Sequence, residues 1–197
     1  MKIRTGGMDP TASVQGLELE RFRDFLSLLA RLQVAPRLHG KVDLSGVVQQ
    51  TLLELHHTFD QFQAWDEVQK AAWLRKILAH NLTDEVRKLR TARRDVARER
   101  PLEALMERSS ARLEAWLAAD QTSPSQRAVR HEQLLRLAES LARLPEDQRT
   151  AVELHHLRGY AVAEVARQMG RSDGAVGALL VRGLKKLRVL LRDTESG

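Results

Sequence analysis

Apolar residues recur at helical spacing along most of the chain. Leu19, Phe22, Phe25, Leu26, Leu29 and Leu32 fall on one face of a first helix, which Pro36 and Gly40 close. A second helix, starting near Asp43 or Ser45, carries Leu44, Val48, Leu52, Leu55 and Phe59 at spacings of three and four, with Leu53 on its opposite side between the amides Gln49 and Gln50. Phe59, Phe62 and Trp65 lie in or beside the loop that follows. A third helix runs from about Val68 to Arg90 and has its stripe at Leu74, Ile77, Leu78, Leu82, Val86 and Leu89. After a nearly all-charged stretch from Thr91 to Glu99, Leu102, Leu105, Met106, Leu113 and Trp116 form a weaker amphipathic pattern. A further helix then passes through Val129, Leu134, Leu137, Ala138, Leu141 and Leu144.

The most informative pattern is C-terminal. Val162, Val165, Ala166 and Met169 repeat at helical spacing, Gly170 interrupts, and Val176, Leu179, Leu180, Gly183, Leu184 and Leu187 resume the repeat. Two short helices that cross steeply need a small residue at their closest approach, supplied by Ala166. They also need a turn residue that tolerates positive φ, supplied by Gly170. Ser172 and Asp173 can each cap the second helix, and Glu146 and Asp147 open the helix after Pro145 at its positive end. This is the pattern of a helix-turn-helix; an antiparallel helical hairpin with a glycine loop is the plainer alternative. The chain therefore divides into a disordered lead-in (1–16), a helical half (17–100), a partly helical linker (101–124), a second helical half (125–191) and a tail (192–197), all α.

Charge sharpens the picture. Arg182, Lys185, Lys186, Arg188 and Arg192 load the last helix with cations. On the third helix Lys76, His80, Thr83, Arg87, Arg90 and Arg94 form a basic and hydroxylic stripe, with Asp84 and Glu85 between it and the apolar face. A formal charge of +6 favours a polyanionic partner. With no cysteine the chain holds neither disulfides nor thiolate metal sites, which fits a reducing interior. No run is long and apolar enough to suggest a spanning helix, so the expectation is a soluble, cytoplasmic protein without membrane partners. The twin ELHH stretches at Glu54–His57 and Glu153–His156 lack the i, i+4 histidine pair of a zinc helix, so no metal is expected. Neither a phosphate loop nor a nucleophile elbow nor a convergent acid pair is present, which argues against an enzyme and leaves no cofactor to expect.

The run LPEDQRTAVELHHLRGYAVAEVARQMGRSDGAVGALLVRGLKKLRVLL resembles region 4 of bacterial sigma-70-type initiation factors of the extracytoplasmic-function group. The runs LARLQVAPRLHGKVDLSGVVQQTLLELHHTF and AWLRKILAHNLTDEVRKLRTARRDV resemble their region 2, and within the group the chain is most similar to a planctomycete-type branch. The resemblance implies a subunit that binds core RNA polymerase, at clamp and flap regions of its large subunits, and directs it to promoter DNA. An anti-sigma protein is a further partner that such factors can have. Region 2 would take the minus-ten element and region 4 the minus-thirty-five element.

Carried onto this chain, the resemblance gives Asp43, Val47, Gln49, Gln50 and Leu53 to polymerase docking. It gives Lys76, His80, Asn81, Asp84, Arg87, Lys88 and Arg90 to the minus-ten strand, with Asn81 and Asp84 near the base pocket and Arg87, Lys88 and Arg90 on phosphates. Arg149, Arg171, Ser172, Asp173, Gly177, Arg182 and Lys185 fall to the minus-thirty-five duplex. Relatives usually carry an acid where this chain has Gly46 and commonly a lysine where it has Gly177, so weaker clamp and minus-thirty-five contacts are expected. Two other readings compete: a free-standing helix-turn-helix regulator binding duplex as a dimer, and a helical adaptor that binds protein only.

Overall fold

A proline costs nothing in the first turn of a helix, where its missing N–H would have no partner, and α1 (Pro10–Gln33) begins on one. That start lies inside the segment expected to be a disordered lead-in. The computed structural model of the chain describes residues 10–34, 40–91 and 127–193. The amphipathic pattern at Leu102–Trp116, most of the linker and the tail from 194 onward fall outside the described residues.

The remaining elements are α2 (Leu44–His57), α3 (Phe59–Gln63), α4 (Glu67–Thr91), α5 (Arg127–Ala142), α6 (Glu146–Val152), a π turn (Glu153–Leu157), α7 (Val162–Met169) and α8 (Asp173–Asp193). No strand occurs among the described residues. The fold is all-α.

Local chemistry sets most boundaries. The Asp43 carboxylate accepts the Gly46 N–H at 2.9 Å and so caps α2. The stripe that the sequence carries through to Phe59 is cut at Thr58, whose hydroxyl turns back onto the Glu54 carbonyl at 3.0 Å; Phe59 is buried instead from the short α3. Phe62 meets Phe22 edge-on with ring centroids 5.4 Å apart, and Trp65 (tilted) and Trp73 (edge-on) pack around it.

The buried residues form one continuous core. Phe25, Leu26 and Leu29 of α1 meet Leu55 of α2 and Leu74, Leu78 and Leu82 of α4, and the cluster continues through Leu137, Ala138 and Leu141 of α5 into Val152, Val165, Val176 and Leu187. Each such side chain contributes on the order of 1.5–3 kcal/mol through the apolar surface it removes from water. Helix α1 is the hub, packed against α2, α4 and α5, while α8 packs on α5, α6 and α7.

Polar links join the N-terminal helices to the C-terminal ones. Arg21 of α1 bridges Glu132 at 2.6 Å and Glu139 at 3.0 Å on α5. Burial pushes the Glu132 carboxyl up, but the Arg21 and Arg136 guanidinia outweigh it and hold it below the usual carboxylate range. Arg31 forms a forked pair with Glu153, at 2.9–3.2 Å. The Arg158 guanidinium donates to the carbonyls of Arg31 and Val34. Glu153 owes its position to the π turn, in which the Arg158 N–H reaches the Glu153 carbonyl five residues back at 3.0 Å; Gly159, at φ +76°, leads out of that turn.

Candidate nucleic-acid interface

The first candidate surface lies where α2 packs on α4. Asp43, Gly46, Val47 and Gln50 form one wall of an open groove of about 960 Å³, and Asn81, Asp84, Glu85, Arg87 and Lys88 form the other. Residues assigned by resemblance to polymerase docking and to the minus-ten strand thus share one groove. Gln49 and Gln50 are exposed, and Leu53 is 54% exposed on the outer side of α2. Val47 is buried and belongs to the core as much as to the groove wall. Asp43 is occupied by its cap, and a Cβ at Gly46 would collide with that carboxylate.

Along α4, Lys76, His80, Arg87 and Lys88 are exposed, but their stripe is not free of acid. Asp84 reaches into it and sits 3.3 Å from His80 Nε2 and 3.8 Å from Arg87, while Glu85 holds Lys88 at 3.4 Å. The reason is the helix period, which puts side chains three and four positions apart within reach of each other. Pairs this exposed are worth little energetically and leave the cations available to a phosphate. The side chain of Arg90 lies outside the described residues.

Asn81 faces inward. Its amide nitrogen donates to the Thr51 hydroxyl at 3.1 Å and to the Glu54 carboxylate at 3.0 Å, tying α4 to α2. Neither Thr51 nor Glu54 was singled out in the sequence as part of this site. The only trace there was the i, i+4 spacing of Gln50 and Glu54, now joined at 3.3 Å.

The second surface is the helix-turn-helix. Ala166 and Val176 are buried where α7 and α8 cross, and Gly170 takes the left-handed conformation at φ +63°. Glu164 accepts the Ala161 N–H at 3.0 Å at the start of α7. Of the two possible caps of α8, Ser172 is the one used: its hydroxyl accepts the Ala175 N–H at 3.3 Å, and Asp173 is the first helical residue. The N-terminal end of α8, with Arg171, Ser172 and Asp173, projects into solvent, and Gly177 is half-buried one turn later. Arg182 and Lys185 are exposed further along, and Arg149 is half-buried on α6. Arg171 is steadied by Asp147 at 2.5 Å, an exposed contact that orients the guanidinium more than it stabilises the fold.

An exposed helix N-terminus on a packed helix pair joined by a tight turn, followed by a cationic flank, is the arrangement that seats a helix in a DNA major groove. The fold and this surface define a helical DNA-binding protein of the helix-turn-helix class. Residues 134–187 match the family model for sigma-70, region 4. The chain is 30% identical over 185 residues to the ECF RNA polymerase sigma factor SigF of Caulobacter vibrioides, covering 93% of this chain and 88% of that one. It is 30% identical over 190 residues to the RNA polymerase sigma factor CarQ of Myxococcus xanthus, covering 90% and 97%. To the ECF RNA polymerase sigma factor SigM of Mycobacterium tuberculosis it is 24% identical over 155 residues, covering 79% and 67%. The chain belongs to the extracytoplasmic-function sigma factors of the sigma-70 family.

Proposed function

We propose that the protein binds core RNA polymerase and directs it to promoters, with residues 17–100 docking on the polymerase and taking the minus-ten strand, and residues 125–191 taking the minus-thirty-five duplex. It acts by binding rather than by catalysis, in the cytoplasm where its partners are. The observation that carries this reading is the match to full-length sigma factors on a chain whose helix-turn-helix keeps its reading end in solvent.

In this reading Gln49, Gln50 and Leu53 meet the polymerase clamp. Asn81 and Asp84 meet an unstacked base, and Lys76, His80, Arg87, Lys88 and Arg90 the phosphates around it. Removing a base from the duplex costs a few kcal/mol, which contacts in the groove must offset. Arg171, Ser172, Asp173 and Gly177 approach base edges in the major groove, flanked by Arg149, Arg182 and Lys185 on the backbone. Neither half needs high affinity alone, because the linker and the polymerase raise the effective concentration of the second contact.

Run-off transcription with the reconstituted holoenzyme on a genomic library tests this reading. Promoter-specific transcripts that depend on the protein are expected. If an active core polymerase neither retains the protein nor initiates specifically in its presence, the function is something else.

A further inference from the structure

Side chains three, four and seven positions apart on a helix share one face. Around Leu53 that spacing gathers Gly46, Gln49 and Gln50 from the N-terminal side and His56 and His57 from the C-terminal side. Leu53 is 54% exposed, and the other large apolar side chains comparably exposed among the described residues, Val181 and Val189, both lie on α8. Gln49, Gln50, His56 and His57 are exposed beside it. The face holds no acid. The carboxylates nearest to it are turned elsewhere: Asp43 onto the Gly46 N–H at 2.9 Å, and Glu54 onto the Asn81 amide at 3.0 Å and the Gln50 amide at 3.3 Å. Position 46, at which an acid is expected by resemblance, has no room for a side chain while Asp43 keeps its cap.

We infer, on the reading of α2 as the polymerase-docking helix, that it docks on an uncharged polymerase surface: an apolar pocket for Leu53, ringed by groups that hydrogen-bond to Gln49 and Gln50, with no lysine or arginine opposite. Charge complementarity decides this. A cationic protein surface would find no carboxylate to offset the water that its ammonium or guanidinium groups give up, and burying such a charge unpaired is costly. Nucleic acid is no better served, because the face carries neither lysine nor arginine for a phosphate. What remains favourable is removal of the exposed part of Leu53 from water, with the two amides bonded at its margin, an apolar anchor inside a polar rim.

The test measures assembly of the full-length chain, fluorescently labelled, with core polymerase of the source organism at low and at high salt. Leu53→Ala should weaken assembly roughly three- to tenfold, because about half of the side chain is left to bury, and by the same factor at both salts. Gln49→Glu sets an acid beside Leu53 and should also weaken assembly several-fold, since its charge loses water and gains no cation. Both positions are exposed, so the unfolding midpoint should not move in either variant, which separates lost docking from a damaged fold.

Gln49→Glu that leaves assembly unchanged, or tightens it at low salt, overturns the inference, and so does Leu53→Ala within twofold of the wild type. Self-association of the free chain that Leu53→Ala abolishes, with assembly unmoved, overturns it in favour of a second copy as the occupant. Wild-type protein that the core polymerase does not retain would overturn the reading of α2 as a docking helix, and the inference with it; retention accompanied by either contrary result in the variants overturns the inference alone.

Discussion

Gly177 stands where the resemblance leads one to expect a lysine, and its surroundings do not demand glycine. A Cβ placed there meets nothing within 4 Å, and its φ is helical. Gly177→Lys should stabilise α8 by about 0.5–1 kcal/mol through helix propensity. If position 177 faces a phosphate, the added cation should also steepen the plot of log affinity against log salt by about 0.9 for holoenzyme on a minus-thirty-five duplex. An unchanged slope would place the position away from the backbone. Gly46 differs in kind: its Cα lies under the Asp43 cap, so an acid there needs Asp43 to swing aside and trades away a cap worth about 1 kcal/mol. The resemblance marks both glycines as gaps in an expected pattern, and only the neighbours tell the open gap from the occupied one.

The helix-turn-helix is the element most legible in the primary structure. Ala166, Gly170, Ser172 and Val176 act through contacts within a dozen residues: Ala166 and Val176 are buried, Gly170 turns through positive φ, and Ser172, one of the two residues able to do so, caps α8. The closest approach of α6 and α8 was not legible. It falls at Gly183, where an added Cβ would lie 3.1 Å from Val152 Cγ2 and 3.4 Å from the Gln148 carbonyl. Gly183→Val should force these helices apart at a cost of about 1–3 kcal/mol, read as a lower midpoint in thermal or urea unfolding. Unfolding like that of the wild type would mean that α6 yields to the bulk. The π turn at Glu153–Leu157 was likewise invisible, because ELHH satisfies the 3.6-residue period as well as the wider turn; Arg158 and Tyr160, bonded five and six residues back, hold it open.

The two halves are packed together, with α1 against α5 and the Arg31–Glu153 pair between them, while Lys76, Arg87 and Lys88 of α4 and the cations of α8 stay exposed. A protein of this size is roughly 40 Å across. Promoter elements centred about 25 base pairs apart lie ~85 Å from each other at 3.4 Å per pair. The packed arrangement therefore has to open before one molecule can hold both elements. The side chains of Arg31 and Glu153 are only 21% and 7% exposed, so Arg31→Ala leaves a buried carboxylate without its partner, a penalty of about 3–5 kcal/mol that separation of the halves would relieve. Small-angle scattering should show a larger radius of gyration for Arg31→Ala, and the apolar pair Arg31→Met with Glu153→Leu should restore the smaller one. An unchanged radius in Arg31→Ala would mean that the apolar contact of α1 with α5 holds the closed form unaided.

The order of amino acids was enough to suggest an all-α fold and the helix-turn-helix, because both depend on periodicity, caps and turns that act over a few positions; the family came from the resemblance of whole runs. It also marked Asn81 as a residue of interest. What it could not show is that Asn81 is turned inward by Thr51 and Glu54, that Asp84 neutralises part of the α4 stripe, or that Arg21 and Arg31 reach partners more than a hundred positions away. Those outcomes depend on which helix faces are brought together, and a hydrogen bond or ion pair has no direction until the acceptor and donor that share its space have been folded into place.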